Sequence, residues 1–212
     1  MIIDHVAVMF LSEGSGLYTI CRCLGRLSFP IFVFCLVEGF KHTSNRKWML
    51  IRLLIFGVIS EVPYDLVRFK ESVNLSGQNV FITLSIGYFL MMILEYIKYR
   101  SNINNNTLKT ILILLTVILG TALSIFLKVD YSGVGVISIA IMYLYGADIL
   151  MGSMGVNMVL ICQSANEIFT VFTTPLLLMY NGKRGRNLKY FFYIFYPLHL
   201  LILWLVKVYI VG

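Results

Sequence analysis

Leu108–Leu127 reads LKTILILLTVILGTALSIFL, twenty residues in which Lys109 is the only charge. A helix rises about 1.5 Å per residue, so a stretch of this length crosses the roughly 30 Å hydrocarbon core of a bilayer. Similar apolar runs lie on either side of it. Leu27–Phe40, Trp48–Leu66, Val80–Tyr99 and Tyr190–Val211 each read as a span, and Val134–Tyr180 is a longer apolar region broken near Asp148–Gly155 and again near Gln163–Glu167. Met1–Leu11 is too short to span alone, so it either continues through Tyr18 to Cys23 or closes a helix begun upstream. These runs predict an all-α, polytopic integral membrane bundle of eight or nine transmembrane helices. Residues 1–212 form one transmembrane domain, with no separate soluble domain and no internal repeat.

Composition agrees. Of 212 residues, 59% are hydrophobic and 13% are charged, about half the charged share of a soluble domain. Mean hydropathy is +0.86. A soluble fold of this size could not bury so much apolar surface, and disordered or collagen-like sequence fails on the same numbers. The net charge of +7 sits in short clusters between apolar runs rather than in a basic stripe with interleaved aromatics, so nucleic acid is not expected as a partner. The clusters read as a positive-inside signal that also attracts anionic lipid. Cys21, Cys23, Cys35 and Cys162 form no CxxC, and the histidines are not spaced around them, so no metal is expected.

Topology follows from charge. Lys41/Arg46/Lys47 and Lys98/Arg100/Lys109 are two spans apart and belong on one side, the cytoplasm. Lys183/Arg184/Arg186/Lys189 belongs there too only if Val134–Tyr180 makes three short passes. Two comfortable passes would put it outside. Short or re-entrant helices are permitted where they line a cavity.

Charges at bilayer depth are costly and tend to mark function. This chain has several in or beside its spans: Asp4, His5, Arg26, Glu38, Arg52, Glu61, Asp65, Glu167 and His199. His5 is a candidate proton acceptor, although a helix-packing hydrogen bond would also explain it. Asp4 and His5 are adjacent and do not face each other on a helix, so a carboxylate from another helix, Glu38, is the better orienter. Arg26, just before a helix start, suits an anion or a pair with Glu38. Glu61 and Asp65 share a face at i, i+4 around Pro63 and read either as an ion-pair patch or as a site for a cationic acceptor. Gln78-Asn79 caps the helix that follows. His199 lies deep beside Pro197. No GxSxG, HExxH, P-loop or GxGxxG is present.

Taken in order, several blocks resemble the TraX family: Ile3-Asp4-His5, Gly25-Arg26-Leu27-Ser28-Phe29-Pro30-Ile31-Phe32, Glu38-Gly39-Phe40, Ser60-Glu61-Val62-Pro63-Tyr64-Asp65, Gln78-Asn79-Val80-Phe81, Tyr180-Asn181-Gly182-Lys183-Arg184-Gly185 and Tyr196-Pro197-Leu198-His199. The middle, about 103–156, matches in hydropathy alone. Phe29-Pro30-Ile31-Phe32-Val33-Phe34 is also similar to a segment of lysosomal heparan glucosaminide acetyltransferases.

The resemblance implies a multi-pass protein of the bacterial cytoplasmic membrane that takes an acetyl group from acetyl-CoA. In TraX proteins of conjugative plasmids the acceptor is the N-terminus of pilin. Here it implies a peptide or glycan acceptor, with His5 at the position of the essential histidine. On that reading His5 is the base, oriented by Asp4 or Glu38, and His199 is the second candidate. Arg26, Arg52 and the turn Lys183/Arg184/Arg186 are the candidate phosphate partners, because a guanidinium fork suits phosphate. Asn79 or Tyr196 donates to the developing oxyanion, and Glu61 with Asp65 holds the acceptor. The competing expectation is a non-enzymatic transporter or assembly scaffold that uses the same charges as an ion path.

Overall fold

Ile2–Phe10 forms α1, nine residues and too short to cross a bilayer. The chain turns at Ser12–Ser15, and Ser15 caps α2 (Gly16–Arg26) by accepting from the Tyr18 amide. The two helices form an antiparallel hairpin, closed by an Arg22–Asp4 ion pair of 2.8 Å. Met1–Leu11 therefore does not continue through Tyr18 to Cys23 as one helix. Instead α2 runs almost without a break into α3 (Ser28–His42), giving a 27-residue apolar stretch. The hairpin closes because residue 25 is glycine: a Cβ there would overlap the Asp4 side chain.

The computed structural model describes residues 1–183 and 189–211, and among them it is all-helical with no strand. The remaining helices are α4 (Arg46–Arg68), α5 (Val80–Glu95), α6 (Asn106–Phe126), α7 (Ser132–Tyr145), α8 (Ile149–Gln163), α9 (Thr173–Leu178) and α10 (Lys189–Val206). A 3₁₀ segment, Ala165–Phe172, precedes α9. Short polar side chains start most of them. Asn45, Asn79, Asn105 and Asp148 each accept from the first free amides of the helix that follows. The cap expected at Gln78-Asn79 is Asn79, and the breaks expected near Asp148 and Gln163 separate α7, α8 and the 3₁₀ segment.

Four described stretches are long and apolar enough to cross a membrane: Gly16–His42, Val80–Tyr99, Asn106–Phe126 and Tyr190–Tyr209. Helices α7 and α8 are apolar but shorter, at 14 and 15 residues. The molecule is thus a membrane-type helical bundle with fewer full-length spans than the hydropathy runs suggest. Phe29, Val33 and Phe40 of α3, Tyr88 and Met91 of α5, Ile139 and Met142 of α7, Leu160 of α8 and Leu200 of α10 form its core. Gly87 lets α5 and α7 touch, since a Cβ there would overlap Ile139. Helix α6 buries almost nothing along its length and lies at the periphery.

The charged ends sort the topology. Arg46 pairs with Glu95 and lies 4.4 Å from the centre of the Phe40 ring, so the start of α4 meets the ends of α3 and α5. Lys41 donates to the Gly146 carbonyl at 3.2 Å, which brings the end of α7 to the same place. Tyr180 hydrogen-bonds Glu38 and packs edge-on against Phe34. Lys183, three residues on, is therefore at this basic end as well. Residues 132–180 reach it by three short passes, α7, α8 and the 3₁₀ segment with α9.

Candidate active site

At the opposite end of α7 the chain does something a membrane bundle permits only around a cavity. Helices α5 and α7 both begin inside the molecule, midway along α10 and beside the junction of α2 with α3. Two loop strands join there. The Gln78 amide donates to Lys128 O at 3.1 Å, and the Asp130 amide donates to Gln78 O at 2.9 Å. Lys128, Tyr131 and Ser132 have positive φ (52°, 59° and 45°), a conformation costly for non-glycine residues unless their surroundings hold it. Tyr131 is held by a stack on Phe29, 3.7 Å between ring centres, and by a hydrogen bond with Arg26.

A chamber of about 50 Å³ lies at this junction, lined among others by Asp4, His5, Ser28, Asp130, Tyr131 and Tyr196. One water needs roughly 10–15 Å³ of such space, so the chamber has room for a small polar group. It opens beside a second cavity of about 790 Å³ between α3, α4, α5 and α10. That cleft is lined by apolar and aromatic side chains, including Leu53, Phe81, Phe192 and Tyr193, and it shares Ser28, Phe32, Val80 and Tyr196 with the chamber.

His5 Nδ1 lies 3.0 Å from His199 Nε2, and His199 Nδ1 lies 2.8 Å from the Phe195 carbonyl oxygen. A carbonyl can only accept, so His199 Nδ1 carries a proton and its Nε2 accepts from His5 Nδ1–H. His5 Nε2 is left with its lone pair. The carbonyl and the second imidazole thus fix the tautomer of the ring that lines the chamber. Phe195 stacks on His199, 5.3 Å between centres, and holds it in place. Tyr196 OH accepts from the Val80 amide, which leaves its own proton to donate.

The structure thus brings His5, His199, Asp4 and Tyr196 together. It does not bring Glu38. That residue lies ten residues along α3 from Ser28, about 15 Å away, and is occupied by Lys41 at 2.8 Å and His42 at 3.5 Å. The ring nitrogen of His5 meets His199, and neither Asp4 nor Glu38. Asn79 has no free donor at the chamber, because its amide is spent on Gly57 O (2.8 Å) and on Glu61. Glu61 and Asp65 do share a face. Asp65 accepts from the Asn74 amide at 2.8 Å, and one oxygen of each carboxylate is buried without a hydrogen-bond partner among the described residues.

The expected phosphate partners separate. Arg26 is paired with Glu167 at 2.9 Å rather than with Glu38. Arg52 bonds Tyr193 at the edge of the large cleft, and its Nε has no partner among the described residues. Lys183 is exposed at the basic end. Arg184 and Arg186 lie outside the described residues.

Asp130 is the chamber residue that the sequence reading missed. It follows the cleanest span in what looked like a plain turn, Lys128–Gly133. The only hint was the pairing of an acidic residue with an aromatic one directly before a Gly-Val-Gly helix start. Its carboxylate accepts from the Tyr131 amide at 3.2 Å, and burial pushes it above the ordinary aspartate range while Arg68 opposes that rise.

The family model for the TraX protein matches residues 1–207. Over 241 aligned residues the chain is 30% identical to a protein of Dichelobacter nodosus described as "Probable fimbrial assembly protein FimC, serogroup H1". The alignment covers 99% of this chain and 92% of that protein. No solved structure matches.

Proposed function

The chain belongs to the TraX family, and on that premise we propose that it is an integral-membrane acyltransferase moving an acetyl group from acetyl-CoA to an amine or hydroxyl acceptor. The observation that carries this reading is the tautomer-fixed His5–His199 pair lining a small polar chamber at the end of a large apolar cleft. His5 Nε2 takes a proton from the attacking amine or hydroxyl. His199 Nε2, still accepting from Nδ1–H, steadies the imidazolium that forms. The Tyr196 hydroxyl, oriented by the Val80 amide, donates to the acyl oxygen as negative charge develops there. The N-termini of α5 and α7 add their positive dipole ends.

Acetyl-CoA supplies an activated thioester acyl group. The residues that fit it are those at the cleft's other end. Arg52, half-buried with an unpartnered Nε, suits a phosphate oxygen, and the cleft from Tyr193 to Tyr196 suits a slender, largely uncharged arm. Arg26, already spent on Glu167, would have to leave that pair to serve the same purpose. The basic end supports cytoplasmic entry and a bacterial cytoplasmic membrane location. The relative's fimbrial assembly description favours a peptide acceptor over a glycan.

The test is thermal unfolding of the purified protein in nanodiscs with acetyl-CoA. At 100 times the dissociation constant the ligand should add about 2.7 kcal/mol. Arg52→Ala should weaken the apparent affinity by about tenfold, the value of one charged hydrogen bond. No stabilisation of the wild type at saturating acetyl-CoA would favour a transporter or scaffold instead.

A further inference from the structure

The acidic residues of this protein differ in what they meet. Asp4, Glu38, Glu95 and Glu167 each have a basic side chain within 4 Å. Asp148 caps α8, Glu13 and Glu71 are exposed, and Asp65 and Glu61, which also lack an ion pair among the described residues, accept from Asn74 and Asn79 and do not line the chamber. Asp130 has one amide, that of Tyr131, and among the described residues no ion pair. It is nevertheless half-buried, in the wall of the chamber that His5 also lines. An ionised carboxylate withdrawn from water without a cation is costly, and a cation in the chamber removes that cost.

The neighbours narrow what the cation can be. Arg26 is held by Glu167, Arg22 by Asp4, and the Met1 ammonium in the chamber wall by Ser28 Oγ at 2.7 Å, so none of the three swings in freely. Arg68 is exposed, with its guanidinium 5.8 Å from the Tyr64 ring, and it acts on Asp130 from a distance. Asp4, His5 and Asp130 line the chamber, but no group of three such side chains placed to hold a metal ion is found among the described residues. What fits is a small hydrogen-bonding cation carried on an apolar body in the adjoining cleft.

Resting on the acyl-transfer reading, we propose that Asp130 is the counter-ion and first proton acceptor for a primary ammonium group on the acceptor. The carboxylate binds R–NH₃⁺ across the chamber from His5. One N–H bond breaks and one Asp130 O–H bond forms, leaving R–NH₂ with its electron pair on nitrogen. That pair attacks the acyl carbon, His5 Nε2 takes the second proton, and the C–S bond of the thioester breaks with its electron pair staying on the coenzyme A sulfur, which the proton on His5 then neutralises to the free thiol. The division of labour explains why a site with an imidazole base also buries a carboxylate that lacks a cation. It also selects amines over hydroxyls, since a hydroxyl brings no charge to offset Asp130.

The experiment needs no acetyl-CoA. The full chain in zwitterionic nanodiscs is titrated with n-octylammonium and with n-octanol, and its thermal stability is followed. Octylammonium should stabilise the wild type, and Asp130→Asn should weaken its apparent affinity by about 10- to 100-fold, the value of a charged hydrogen bond. Asp130→Glu should restore most of the binding, and octanol should not distinguish the three proteins. Binding needs the ionised carboxylate, so octylammonium affinity should fall as pH is lowered from about 8 to about 5. The groups facing Asp130 are Arg68 and Tyr64 of α4, Arg26 of α2, Asp4 and His5 of α1, Tyr196 of α10, the adjacent Tyr131 and the Met1 ammonium in the chamber wall. Any pH dependence that persists in Asp130→Asn belongs to one of these groups. Equal octylammonium binding by wild type and Asp130→Asn overturns the proposal. If that variant does not fold, pH-independent binding by the wild type overturns it. Asp130-dependent binding in a protein that transfers no acetyl group upholds the ammonium site and sinks the acyl-transfer reading alone.

Discussion

Replacing His5 with alanine is expected to lower acetyl transfer by about 10²- to 10⁴-fold, the usual worth of a positioned proton acceptor. The protein should still fold, because His5 is only partly buried and its one side-chain partner, His199, keeps its bond to Phe195 O. His199→Ala should cost less. It removes the acceptor that fixes the His5 tautomer but leaves the Nε2 lone pair in the chamber. A protein in which His199→Ala abolished transfer and His5→Ala spared it would reverse the roles. The assay is release of free thiol from acetyl-CoA in the presence of an acceptor, on protein whose unfolding transition matches the wild type.

The second large effect concerns stability. Glu167 is 3% exposed at its side chain, and its partner Arg26 is 22% exposed. Replacing Arg26 with methionine leaves a carboxylate buried without its cation, at a cost of about 3–5 kcal/mol. The double variant Arg26→Met/Glu167→Gln should recover much of this loss, since both charges are then gone. Denaturant unfolding in mixed micelles reads both. An Arg26→Met protein of wild-type stability that had lost only acetyl-CoA affinity would instead return Arg26 to the phosphate. The pair ties the 3₁₀ segment to the junction of α2 and α3, and so supports the wall of the chamber through Tyr131.

Much of this was legible in the sequence, for identifiable reasons. Hydropathy at bilayer length found the apolar helices, and the cost of intramembrane charge singled out His5, His199, Arg26 and Glu167 one by one. Asn79 declared itself as a cap because a helix start needs an acceptor for its free amides. Pairings were the weak point. The sequence sets Arg26 against Glu38, and His5 against its neighbour Asp4 or a carboxylate from another helix, Glu38. The actual partners, Glu167 and His199, arrive from distant helices. Span lengths were legible where a run stands alone, as at Val80–Tyr99, and not between 134 and 180, where two or three passes stayed open: α7 and α8 there are 14 and 15 residues, and α7 starts inside the molecule at the chamber. Asp130 was invisible for the same reason, since a turn after a clean span is expected to sit in water. Here the bridge between Gln78 and Val129 draws that turn inside.

Acetyl transfer in the His5 chamber is read out by mass spectrometry of the cell's own acceptors. Peptides and glycans are compared from cells carrying the wild type, the His5→Ala protein or neither, grown on isotopically labelled acetate. A labelled acetyl group is expected on an amine of one molecular species in the wild type and on none in the other two. An identical acetylation pattern in all three, with the wild-type protein folded and present, would contradict it.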